Sequence, residues 1–141
     1  MPIYYPDDEV TLRLISYYPY QEEGVNMGES TMSVAVETDQ NLSAGYFCSD
    51  FLVASQNLQS APKGAIALHY DHKFFKLKIA LVGKEGEELQ GILDADPKLS
   101  VCGFYTKAIY DFQKETYSAF SNEKSITPAG KWEIQGDRLS G

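Results

Sequence analysis

The amino-acid sequence predicts an all-β protein, most simply an antiparallel β-sandwich. Two observations lead there. Apolar and polar residues alternate with period two over several stretches, and turn chemistry interrupts them at short intervals. No long helical pattern supplies the crossovers that a parallel sheet needs. A β-barrel is one alternative. An α+β fold with one helix near 106–120 is the other.

Taken in order, "EVTLRLISYY" (9–18) places Val10, Leu12 and Leu14 on one face. Thr11, Arg13 and Tyr17 fall on the other, with Ile15 out of pattern. "STMSVAVET" (30–38) alternates Met32, Val34 and Val36 with Thr31, Ser33 and Glu37. "AGYFCSDFLVA" (44–54) is more continuously apolar and reads as a strand buried on both faces. The stretches between them, such as "YQEEGVNMGES" and "QNLQSAPKG", carry turn residues.

"GAIALHYDHKFFKLKIALV" (64–82) reads as a hairpin around Asp71 and His72. Tyr70 then faces Lys73, Leu68 faces Phe75 and Ile66 faces Leu77, which makes one face apolar. His69 faces Phe74 on the other side, where Lys76 and Lys78 also lie. A one-residue slip mixes the two faces, so the pattern favours this register. "LQGILD" (89–94) is expected to pair with 73–82. "LSVCGFYTKAIYDF" (99–112) is rich in aromatic and β-branched residues and reads as a long strand. Ile109, Phe112, Thr116 and Phe120 fall at helical spacing and carry the α+β alternative. "TYSAF" (116–120) returns as the next strand, and "GKWEIQG" (130–136) is a short strand with the single Trp132. One domain over 1–141 is expected, with flexible ends near 1–8 and 137–141.

The bulk numbers fit this picture. A chain of 141 residues buries about 68% of its unfolded surface. Twelve Lys and Arg stand against 20 Asp and Glu, a formal net charge of −8. That field repels phosphate backbones, so nucleic acid is disfavoured as a partner. No apolar window reaches the length of a membrane helix, and "MPIYYPDDEV" has neither the basic nor the apolar region of a signal peptide. Cys48 and Cys102 lie in apolar stretches and read as small buried hydrophobes, or as one bridge if their strands are neighbours. These features predict a cytoplasmic protein in a reducing compartment.

The candidate sites follow from residue chemistry. His69, Asp71 and His72 supply two imidazoles and a carboxylate, the donor set of a metal site. A further ligand would come from Asp94, Asp96 or Asp111, none at a metal-binding spacing. The hairpin-tip reading is the simpler one. The chain has no G-x-S-x-G elbow and no Gly-Lys-Ser/Thr phosphate cradle, and no cofactor is implied. Tyrosine is the more suggestive feature. Tyr17, Tyr18 and Tyr20 stand in "SYYPYQEE", beside carboxylates, and with Trp132 they make a candidate ligand- or partner-binding set. The function expected is binding rather than catalysis: a protein-interaction domain meeting a basic partner or a second copy through an acidic, tyrosine-rich surface. A small-ligand or carbohydrate-binding β-sandwich is the alternative, and a metal-dependent enzyme using His69 and His72 comes after it.

Overall fold

In the computed structural model, residues 11–58, 63–84, 88–136 and 138–140 are described. Strands β1 (Leu12–Tyr18), β4 (Leu52–Leu58) and β5 (Asp71–His72) form one antiparallel sheet in the order β1-β4-β5. Strands β2 (Val25–Asn26), β3 (Thr31–Ala35), β7 (Val101–Asp111) and β8 (Thr116–Ile126) form a second, in the order β2-β3-β7-β8. A small third sheet joins β6 (Ala80–Val82), β10 (Arg138–Ser140) and β9 (Glu133–Gln135). Two short helices, α1 (Ser43–Cys48) and α2 (Leu89–Asp94), complete the fold. The molecule is an antiparallel β-sandwich. Its sheets stay open, which removes the barrel, and residues 106–120 are strand and turn, which removes the helix there.

Alternation builds the interior. On β3, Met32 and Val34 turn inward; on β7, Ala108 and Tyr110 do, followed by Phe112. Phe51 and Val53 meet them from the other sheet, and Ile15 and Tyr17 pack at the border. Six aromatic rings form a linked series across the gap. Tyr17 lies 5.8 Å from Phe112, which stands edge-on to Tyr110 at 5.3 Å. Tyr110 in turn meets Phe51 edge-on at 5.1 Å and Tyr117 at 5.1 Å. Phe74 closes the group against Phe51 at 5.5 Å and Tyr117 at 6.0 Å. Edge-to-face pairs of this kind add about 0.5–1.5 kcal/mol each beyond the area they bury.

The face of β1 differs from expectation. Ile15 and Tyr17 reach the core, so the inward side is the odd-numbered one. Arg13 shares it, donating from Nη2 to the Phe112 carbonyl at 2.7 Å and from Nε to Ser55 Oγ at 3.1 Å. The aromatic partner on β7, rather than the count of aliphatic residues, decides which face is buried.

Three other segments depart from the pattern. "AGYFCSDFLVA" is divided between α1 and β4. "LQGILD" forms α2, with Leu89, Ile92 and Leu93 at helical spacing and half-buried. The 64–82 hairpin does not form. Asp71 and His72 pair with Val53 and Leu52 of β4, and Ala80–Val82 at the far end pair with β10 instead of folding back on 64–70. Lys73 explains why. Its N–H donates to the Phe51 carbonyl at 2.8 Å, and its carbonyl accepts from the Tyr117 hydroxyl. Its ammonium lies 3.3 Å from Glu115 Oε1. One residue thus ties the first sheet to the β7–β8 hairpin. The chain is drawn across to place Phe74 in the core, and Phe75 and Leu77 are left exposed. At the C-terminal end, where a flexible tail was expected, residues 138–140 pair with β6 and β9, and Leu139 is fully buried. The N-terminal stretch 1–8 lies outside the described residues.

The β7–β8 hairpin carries two bulges. Val101 pairs with Ile126 and Phe104 with Lys124, so β7 holds one extra residue there, with Gly103 at φ 83°. Lys107 pairs with Ser121 and Ile109 with Ser118, so β8 holds one extra residue in its turn, with Ala119 at φ 50°.

The two buried phenols are placed differently. The Tyr110 hydroxyl is buried without a hydrogen-bond partner among the described residues, whereas that of Tyr117 donates to Lys73. Tyr117→Phe is therefore expected to lower stability by about 0.5–1.5 kcal/mol, while Tyr110→Phe is neutral or stabilising. Urea midpoints for the two variants check this, and equal losses would contradict it.

Candidate functional site

The expected metal-binding residues do not converge. His72, on β5, faces Asp50, with Nδ1 2.7 Å from Oδ1. His69 lies in the extended 65–69 segment and lines a groove described below. Asp71 is exposed on β5, and Asp94, Asp96 and Asp111 lie on other elements. Among the described residues no group of three or more His, Cys, Asp or Glu is arranged to hold a metal ion. Asp111 does structural work instead. Its Oδ1 accepts from the N–H groups of Lys114 and Gln113 at 2.9 and 2.8 Å and closes the β7–β8 turn. Those bonds, Lys114 first, hold its carboxyl below the ordinary value.

The tyrosine set is dispersed as well. Tyr17 turns into the sandwich and borders a small cavity of about 80 Å³ with Ile15, Val25, Met27 and Phe112. Tyr18, the next residue, takes the opposite face and is exposed, as is Tyr20. Exposed Glu22 and Glu23 follow them. Trp132 lies before β9, half-buried, and donates from Nε1 to the Pro97 carbonyl at 2.9 Å. Cys48 and Cys102 are free and exposed rather than buried, and Cys102 Sγ lies 3.2 Å from Ser125 Oγ. Among the described residues no helix is long and apolar enough to cross a membrane.

One opening, beside β4, is not singled out by the sequence. β4 pairs with β1 along its whole length, but β5 covers only Leu52 and Val53 on the other side. Before β5, residues 65–69 line the space beside β4, and among the described residues no strand pairs with Ser55 or Asn57 on that side. A groove of about 440 Å³ remains, lined by Ser55, Gln56 and Leu58 on one wall and by residues 65–69 on the other. The Lys73–Phe51 bond sets the phase of the edge. In an antiparallel ladder the backbone groups alternate in direction, so those of Ser55 and Asn57 face outward beyond the end of β5. Tyr70 spans the outer side of the sheet, its hydroxyl 2.6 Å from Ser16 Oγ. The hairpin pattern concealed this edge, because it assigned residues 65–70 to pair with 73–78 and left β4 unexamined.

Comparison with known proteins agrees with the architecture. The fimbrillin-like family matches residues 1–140, and the chain belongs to that family. No curated protein matches it. The fold is similar to the crystal structure of a candidate cell adhesion protein from Bacteroides uniformis, with a TM-score of 0.56 and 20% identity. The match covers 99% of this chain and 51% of that one, so the chain spans about half the length of that protein. Family membership corrects the expectation of a cytoplasmic protein. The fimbrillin-like family points to a surface, extracellular fimbrial protein. The cysteine usage that suggested a reducing compartment reflects two unpaired thiols, and an unpaired thiol does not report the compartment.

Burial leaves a signature at alkaline pH. It pushes the Tyr117 phenol up to about 12, and burial also raises that of Tyr110, opposed by the Lys73 charge. Both neutral forms favour the folded state. Their contribution is complete below the ordinary value of 10.0 and is lost as pH rises above it, that of Tyr117 as pH climbs toward about 12. Unfolding midpoints measured above pH 9.5 should therefore fall steeply in the native protein and less steeply in Tyr117→Phe (about one phenol's worth). Parallel profiles would contradict the assignment.

Proposed function

We propose that the protein is a non-catalytic surface module that associates with another chain, in the first instance a second copy, by accepting an extended segment at the β4 edge. The observation that carries this reading is the groove beside Ser55 and Asn57. There, among the described residues, the strand is paired on one side and faces a space with room for another backbone. Main-chain hydrogen bonds supply affinity in such additions, and alternate side chains supply specificity. Membership of the fimbrillin-like family supports an adhesive or assembling role, and so does the adhesion protein it resembles in fold.

A second contact surface has its own support. Tyr18 and Tyr20 are exposed, at 46% and 76%, and stand beside Glu22 and Glu23. This is the acidic, tyrosine-rich surface expected to suit a basic partner.

Salt separates the two modes. A chain of net charge −8 repels its own copies, so added salt strengthens self-association through the edge, whereas it weakens the capture of a basic partner. Sedimentation velocity over a wide concentration range tests the first mode. The native protein is expected to associate reversibly, more strongly in high salt. Asn57→Pro, which removes an outward donor without breaking the β1 ladder, is expected to stay monomeric with an unchanged dichroism spectrum. A native protein that remains monomeric throughout, or association untouched by Asn57→Pro, would refute the edge as the docking site.

A further inference from the structure

We propose that the outer face of the four-stranded sheet is a platform for neutral saccharides, centred on Tyr105 and Phe120. It is separate from the β4 edge and does not depend on it. Along β7, Thr106, Ala108 and Tyr110 turn inward, so Tyr105, Lys107 and Ile109 stand on the outer face. In register with them on β8 are Glu123, Ser121 and Ser118, and Ser33 and Ala35 lie opposite Ile109 and Lys107 on β3. Tyr105 is 56% exposed and Phe120 57%, and their rings lie 6.1 Å apart at 38°.

Phe120 is there because of the bulge. Ser121 faces outward opposite Lys107, so simple alternation would send Phe120 inward, opposite the buried Ala108. The extra residue breaks that alternation. Ala119 takes the left-handed region at φ 50°, a conformation unfavourable for a non-glycine residue, and Phe120 comes out to Tyr105. A large ring that would have gone into the core is held in water next to another at the expense of backbone strain. Bulges that re-aim a side chain in this way are frequent beside functional sites.

Size and charge indicate the occupant. From Tyr105 to Ile109 the strand advances about 14 Å, and three strands span about 10 Å, giving a face on the order of 150 Å². A stable protein interface needs about 800 Å² per partner. The patch is too small for that and matches one or two sugar rings. The apolar C–H face of a pyranose packs on an aromatic ring, while its rim of hydroxyls takes hydrogen bonds. Glu123 accepts such bonds, Lys107 donates them, and Ser118 and Ser121 do either. Lys107 and Glu123 offset each other beside the rings, Asp111 adds a negative charge at the turn end of the same face, and the −8 of the whole chain disfavours acidic glycans.

Native affinity electrophoresis through gels containing mannan, xylan or dextran tests the proposal, with heparin as the acidic comparison. At least one neutral polysaccharide is expected to retard the native protein, and heparin is not. The Tyr105→Ala/Phe120→Ala double variant should bind about tenfold more weakly or worse. Phe47→Ala, which removes an exposed ring on α1, should bind as the native protein does. Unchanged dichroism and thermal midpoint in the double variant establish that its loss is local. Three results would overturn the proposal: no retardation by any of the three neutral polymers, equal retardation of the double variant, or a double variant that loses self-association while the native protein ignores all three.

Discussion

Tyr110 is the residue on which the architecture turns. It lies on β7 beside the turn of the longest hairpin, almost fully buried, with Phe112, Phe51 and Tyr117 against its ring. Phe51 belongs to the other sheet, so this one ring joins both halves of the sandwich. Lys73 reinforces the junction with main-chain bonds to both sheets. The cost is local. Drawing Lys73 into this position uncouples residues 65–70 from 73–78, and that uncoupling opens the groove along β4. The groove beside β4 is thus a consequence of how the core is closed.

Period-two alternation made β3 and β7 legible, because each has one face wholly buried and the inward residues are large and apolar. The hairpin at 64–82 was misread for a physical reason. Its alternation is as regular as that of β3, but period alone does not say which strand will be its partner. β4 pairs with Asp71 and His72, which the pattern assigned to the turn, and the aromatic core takes Phe74 in preference to Phe75. The helices were missed because six residues provide too few repeats to separate a period of 3.6 from a buried strand.

The candidate sites were less legible than the fold. Tyr17 is a core residue and Trp132 is anchored to Pro97, so neither joins Tyr18 and Tyr20 in one cleft. His69 and His72 adjoin in sequence, but they separate once β5 pairs with β4. The exposed ring pair on β7 and β8 was not foreseeable from alternation, since it arises from the breakdown of alternation at Ala119. What emerges is a fimbrillin-like sandwich with chemistry on its surfaces. An open strand edge, an acidic tyrosine-bearing turn and a paired aromatic face lie on different parts of the molecule. That arrangement suits a protein whose work is contact.

All of this requires the two large sheets to share one core through Phe51 and Tyr110. Amide hydrogen exchange in Phe51→Ala tests that directly. Removing the ring from the first sheet should cost about 3–5 kcal/mol and lower protection in β7 and β8 together with β1 and β4. If β7 and β8 kept their native protection while β1 and β4 lost theirs, the sheets would be energetically independent, and the shared aromatic junction would be wrong.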